Sequence, residues 1–386
     1  MRAHRPNRSL PRTALAALLF AACVAWVGGL AATVASAAGS PAVRVLLVES
    51  KAPVAIGGAS GELRVGVARE THGLVVDGEP VGVVWSPRGD GPWRVDGRRY
   101  RGRLELRAVQ GQVLVVNHVE LEDYVAATVG GEMPASWPEQ ALAAQAVATR
   151  TYALHQRDRR RGEPWDVRAT EQSQVYRGIE SESSPTRRAA DATRGEILTH
   201  AGRPILAAFH STSGGRTASA SEVWGERVPY LGSIDVEHEE DAPFTYWRTV
   251  IAPETLDDLL AAMGADLGPL HAIEVDGRTE SGRVERLIAT GRARRIYIRG
   301  DHLRTLVESL GLRSRLFDIR DTPEGFAFVG SGFGHGVGMS QWGARELARR
   351  GTPYQRILAR FYPGARLEAW RAERVASQTG ASKQGR

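Results

Sequence analysis

The chain has 386 residues, 42% hydrophobic and 24% charged, with 50 Lys and Arg against 44 Asp and Glu and a formal net charge of +6. Four of the basic residues (Arg2, Arg5, Arg8 and Arg12) precede a long apolar run, and without them 46 basic face 44 acidic residues. That excess is too small to argue for a nucleic-acid partner. The one cysteine, Cys23, lies inside the apolar run, so the body forms no intramolecular disulfide and offers no thiolate to a metal.

The N-terminal elements come first. A basic, acid-free region is followed by the uncharged, mainly apolar run Ala14–Ala37, ending in Ala35-Ser36-Ala37. These are the parts of an export signal, and cleavage after Ala37 is the preferred reading. A retained anchor is the alternative, because about 20 apolar residues span a bilayer. Either way the body is expected outside the cytoplasm, in the cell envelope. Cys23 is a poor lipid-attachment site, since apolar sequence continues well past it. The roughly 350 residues that follow allow one large or two ordinary domains.

From Val43 to Val116 the runs VRVLLVE, HGLVVD, VGVVW and QVLVVN are β-branched and separated by Gly, Pro and Asp turns. They predict short strands and a β-rich subdomain over 43–116. A helical pattern starts near Val119, and Gly130-Gly131 predicts its C-terminal stop. Ser136 and Glu139 are spaced as a capping box for a second helix, predicted from Trp137 to about Arg159. Its many alanines allow close backbone approach, and Gln145, Thr149 and Tyr152 fall on one face.

Beyond Gly162 strands and loops are expected at SQVYRG, GEILTH and RPILAAFHSTSGG. A helix over Glu254–Met263 and strands near His271–Val275 and Arg283–Thr290 follow. The strand RRIYIRG, a helix over Asp301–Leu310 and the strand LFDIRD lead to FAFVGSGFGHG. Strands and helices without a regular βαβ period indicate an α+β fold, here with a catalytic α+β part over 117–367. The polar tail 376–386 is expected to be disordered.

Three segments carry chemistry. Glu132 is placed just past a helix C-terminus, where the dipole disfavours a second negative charge, and Met133 and Trp137 reduce its solvation. Both effects raise a carboxyl pKa, as a general acid near neutral pH requires. An exposed loop glutamate is the plainer reading.

His335 sits among alternate glycines from Gly332 to Gly338, which leave backbone N–H groups open to a ligand. A strained turn with a merely hydrogen-bonded His335 reads equally well. Ser340 is placed to cap a helix that ends before Gly351. The glycine order does not match a dinucleotide fingerprint. His210, Ser211 and Ser213 end an apolar strand, a common place for site residues. A serine triad can be drawn from these parts, but no GxSxG elbow places the serine. A zinc site from His210, His335 and Glu132 lacks an HExxH pair.

At these residues the chain resembles the SpoIID/LytB family of stage II sporulation protein D and amidase enhancers, from about Val43 to Leu367. The segments are GEMPASWPEQALAAQAVATRTYAL (131–154), SQVYRG through AAFHSTSGGRTASASEVWG to PYL (173–231), and GFGHGVGMSQWGA through ILARFYPG (332–364). The resemblance implies a central glycan-binding cleft and activity on peptidoglycan. Sporulation members are lytic transglycosylases, which cut between N-acetylmuramic acid and N-acetylglucosamine in peptide-stripped strands to leave 1,6-anhydro ends. The family's catalytic glutamate falls on Glu132. Gln145, His210, Ser211, Ser213, His335, Ser340 and Gln341 become candidate hydrogen-bond donors to substrate, whereas Arg150 is assigned to tying its helix to a carboxylate.

Other members enhance an N-acetylmuramoyl-L-alanine amidase, so a non-catalytic glycan binder with an amidase partner is the second reading. A hydrolase using a metal or a serine is the third. Family members linked to zinc use cysteine ligands, so no metal and no cofactor are expected here. Gly130-Gly131 suggests a mobile loop before Glu132.

Overall fold

A computed structural model describes residues 41–59, 61–171 and 173–370. The export or anchor segment 1–37 and the tail 376–386 lie outside the described residues. No helix among those described is long and apolar enough to cross a membrane.

Two β-branched runs separated by a long excursion meet first. Strand Ala42–Ser50 pairs antiparallel with Gln112–Glu120, from Ala42 opposite Glu120 to Ser50 opposite Val113. They lie within a five-stranded sheet completed by Val167–Arg168 on one side, and by Arg103–Val109 and Val84–Trp85 on the other. Alternation sorts its side chains: Val43, Val45, Val113 and Val115 face the main core, while Leu46, Leu114 and Val116 pack with Trp165 on the far face. Most of the excursion folds into an antiparallel six-stranded sheet whose edge strands are Glu79–Gly82 and Arg98–Tyr100, with Val54–Gly58 in its interior. Its Ile56, Val65, Leu74 and Trp93 join the same core as the helices that follow, so packing runs across residues 116 and 117 without a break.

Helix α1 (Leu121–Glu132) is apolar on nearly all sides and correspondingly buried. It does not stop at Gly130-Gly131 as predicted: both glycines are helical and Glu132 is the last helical residue.

Helix α2 (Glu139–Arg159) runs through the centre and packs on α1, on α3 (Ser184–Ala192) and on strand Glu196–His200. The predicted capping box at Ser136 is not formed. Pro138 is the N-cap, with no side-chain cap bond, and its carbonyl accepts from Ala141 and Leu142. The reason is Pro138 itself, whose ring disfavours helical geometry at Trp137. A true capping box, Ser183 with Thr186, starts α3 instead.

Arg150 of α2 is fully buried and holds Glu122 of α1 in a bidentate pair, Nε to Oε1 at 3.0 Å and Nη2 to Oε2 at 2.6 Å. The remaining guanidinium hydrogens reach the Ala190 and Glu196 carbonyls at 3.2 and 3.1 Å.

After the short helix α4 (Ala220–Trp224) comes a second core built from Trp247, Leu256, Leu287, Leu303 and Phe328, among others. It is made by two three-stranded sheets with α5 (Pro253–Ala262) and α6 (Gly300–Ser309). The chain enters and leaves this insert at adjacent points, where Gly332 N donates to the Phe244 carbonyl at 2.9 Å. The chain then returns to the first core as strand Met339–Ser340, α7 (Gln341–Arg349) and α8 (Tyr354–Phe361). The fold is α+β, with its strands concentrated towards the N-terminus.

Candidate functional site

The two glycines before Glu132 are required by close packing rather than by a turn. A β-carbon on Gly130 would sit 1.8 Å from the Ser181 carbonyl oxygen, and one on Gly131 would sit 2.0 Å from that of Val175. Bare backbone therefore lets the end of α1 dock directly on the segment 175–181, and the expected mobile loop is instead a packed helical turn. Docking brings the Val175 N–H to Glu132 Oε1 at 2.7 Å. The other oxygen, Oε2, accepts from the Gln341 side-chain amide at 3.2 Å.

Burial raises the pKa of Glu132 above the ordinary glutamate value. The hydrogen bonds from Val175 and Gln341 act against that rise; Glu171 adds to it and Arg177 opposes it.

Glu132 lines a cavity of about 780 Å³. His210, Ser211, His335 and Gln341 line it too. They are brought there by the parallel pairing of strand Phe209–His210 with Met339–Ser340, reinforced by Trp342 N donating to the Ser211 carbonyl at 3.1 Å.

The histidines take opposite tautomers. His210 Nδ1 donates to the Val337 carbonyl at 3.1 Å, which leaves Nε2 buried, unprotonated and without a partner. Burial, with help from His335 and Arg283, holds this imidazole well below the ordinary histidine range. His335 Nδ1 instead accepts from Val337 N at 2.9 Å. His335 keeps an exposed face, yet the surrounding protein and the Arg283 guanidinium lower its pKa too, against a backbone hydrogen bond at Phe209.

Gln145, Ser213 and Ser340 do not line the cavity. Gln145 is fully buried in α2, its amide bonded to Thr149 Oγ1 at 3.3 Å. Ser213 and Ser340 both donate to the buried carboxylate of Glu239, the first at 2.5 Å. Glu239 also accepts from the backbone N–H groups of Ser213, Gly214 and Gly215 at 3.1–3.3 Å. Ser340 Oγ further caps α7 by accepting from Gly343 N at 3.1 Å. These two serines therefore hold the histidine-bearing segments together from beneath.

Arg283 supports the same loop from the insert. Its guanidinium reaches the Ser213 and Arg216 carbonyls at 2.8 and 3.0 Å, and lies where a β-carbon on Gly336 would meet it at 2.2 Å. Burial pushes its pKa down to about 10. Sequence patterns give neither Glu239 nor Arg283 a site role: Glu239 lies in a polar stretch, and Arg283 opens the strand predicted over Arg283–Thr290. Tyr152, already on the predicted α2 face, lines the cavity, as do Arg159, Glu171, Arg177, Trp224 and Glu226.

Among the described residues no group of three or more His, Cys, Asp or Glu side chains is placed to hold a metal ion. The rings of His210 and His335 are neighbours, 5.7 Å between centroids. Glu132 is committed to Val175 and Gln341 instead.

This is an α+β protein that presents a hydrogen-bonded carboxyl of raised pKa, Glu132, at the wall of a cavity of mixed polar and apolar lining. Residues 109–200 match the stage II sporulation protein (SpoIID) family model, and residues 220–338 match a domain of unknown function. Stage II sporulation protein D of Bacillus subtilis is 31% identical over 271 residues, covering 65% of this chain and 75% of that protein. An uncharacterized protein of Brachyspira hyodysenteriae is 33% identical over 271 residues, covering 70% and 72%. An amidase enhancer of Bacillus subtilis is 28% identical over 290 residues, covering 63% of this chain and 40% of that protein. The chain belongs to the SpoIID family.

Proposed function

We propose that the protein is an exported peptidoglycan lytic transglycosylase with Glu132 as its general acid and base. The observation that carries the reading is Glu132 itself: a carboxyl with burial-raised pKa, fixed at both oxygens and open to a cavity. In the protonated form it donates to the glycosidic oxygen between N-acetylmuramic acid and N-acetylglucosamine. The C6 hydroxyl of the muramic acid attacks its own anomeric carbon as the bond breaks. Glu132 then takes the hydroxyl proton, leaving a 1,6-anhydro end and the regenerated acid.

Ordinary glycosidases need two carboxyl groups, one to protonate the leaving oxygen and one to act as or activate a nucleophile. Here the sugar supplies the nucleophile, so a single acid suffices. Ser211 offers a hydroxyl at the wall to meet developing charge and sugar hydroxyls.

The relative named as an amidase enhancer supports a second reading, a glycan-binding protein that stimulates an amidase without turnover. The two separate when peptide-stripped glycan strands are incubated with the protein and with Glu132→Gln, and the products are analysed by mass spectrometry. New 1,6-anhydro ends from the unaltered protein alone support the transglycosylase. Reducing ends would mean hydrolysis, and binding without cleavage by either protein would favour the enhancer.

A further inference from the structure

At the end of α4 a large aromatic ring is left open inside the cavity. Trp224 is 41% exposed and shares the wall with Ser211, Glu226, Gly334 and His335. Partly exposed tryptophans are ordinary on protein surfaces. This one is distinguished by its place on the cavity wall and by the anchoring of the helix that carries it. Gly225 ends the helix in the left-handed conformation, φ 77°. Ser281 Oγ donates to the Glu222 carboxylate at 2.5 Å, and Arg315 donates to the Glu222 carbonyl at 3.1 Å, tying the helix to the insert. The His335 ring supports the indole at 5.5 Å between centroids, inclined by 56°.

We propose that this end of the cavity is a pyranose-binding subsite with Trp224 as its stacking platform. The inference rests on the glycan reading of the cavity. An amino-sugar ring has a flat face of C–H bonds and an edge of hydroxyl and acetamide groups. The indole supplies a large, rigid apolar face. Glu226 accepts hydrogen bonds and the Ser211 hydroxyl both donates and accepts, which suits the polar edge. The helix that carries the ring is already tied to the insert and the His335 ring backs the indole, which limits the freedom lost on binding. The neutral sugar ring, rather than the lactyl carboxylate, is the group this subsite takes, since the carboxylate of Glu226 stands beside it.

The test uses the mature protein carrying Glu132→Gln, so that turnover does not intervene, with tetra-N-acetylated chitotetraose (called chitotetraose below) as a neutral soluble probe. Binding is measured by calorimetry and by the indole ¹H–¹⁵N resonance of Trp224, assigned with Trp224→Phe. Trp224→Ala should weaken binding about tenfold, and Trp224→Phe about threefold or less. Equal thermal melting of the three proteins establishes that the fold is kept. If the parent binds and Trp224→Ala binds equally well, the subsite is wrong while the glycan reading stands. If the parent binds neither chitotetraose nor peptide-stripped glycan, the glycan reading fails and the subsite falls with it. A Trp224 resonance moved by a free stem peptide but not by chitotetraose would reassign the platform to peptide.

Discussion

Gln341 donates its side-chain amide to Glu132 across 209 positions of sequence, at 3.2 Å. A donor to a carboxylate favours the charged form, so Gln341 restrains the rise that burial imposes on Glu132. Gln341→Leu should therefore raise the Glu132 pKa further. The alkaline limb of the pH profile of kcat/KM should move to higher pH, with the maximal rate down about tenfold as the carboxyl loses its orientation. A limb that stays in place would show that Gln341 does not tune the acid.

Glu132→Gln should lower turnover by about 10²–10⁴-fold, the usual contribution of a positioned general acid. It should also change stability, in a direction set by the sign of the shift. The folded-state pKa of Glu132 is raised, so the fold favours the protonated form. That stabilisation is full below the unfolded-state pKa and is lost as pH rises through the folded-state pKa. Glutamine does not ionise, so the variant should melt higher than the unaltered protein at neutral pH. The difference should close below the ordinary glutamate value of 4.5. Parallel melting curves at all pH values would contradict the raised pKa.

Gly131→Ala offers the opposite of the usual helix result. At an open helical site the change gains up to about 1 kcal/mol. Here the added carbon meets the Val175 carbonyl at 2.0 Å, so α1 and the Val175 segment must part. The expected cost is about 1–3 kcal/mol in urea unfolding, with loss of activity as the Val175 N–H leaves Glu132. A neutral or stabilising outcome would mean that α1 does not dock as described.

That position also shows what the sequence could and could not tell. Glu132, His210, Ser211, His335 and Gln341 lie in the segments that carry the family resemblance, and all five line one cavity. Gly130-Gly131 looked like a helix stop because only the folded chain shows carbonyl oxygens lying where side chains would be. Ser136 looked like a cap because the spacing fits, yet Pro138 holds the preceding residue out of the helix. Ser213 and Ser340 looked like ligands because nothing in the sequence reveals that Glu239 takes their hydroxyls. Local patterns mark elements, whereas partners such as Ser213 and Ser340 with Glu239, 26 and 101 positions apart, become visible only in three dimensions.

Arg150→Ala should cost about 3–5 kcal/mol in denaturant unfolding, because Glu122 is left as a buried charge without its partner. Arg150→Met with Glu122→Gln should recover part of that loss by removing both charges together. If the double variant is no better than Arg150→Ala, the loss lies in packing rather than in the stranded carboxylate.

The Arg283 guanidinium beneath Gly336 makes one core answerable to the other. Opening of the insert withdraws that support, so the amides of the loop bearing His335 cannot keep more protection from hydrogen exchange than the insert's own stability allows. A weakening change deep in the insert, such as Leu303→Ala, would then speed exchange at the cavity wall. The insert acts as a thermodynamic governor on that wall rather than as a passenger beside it.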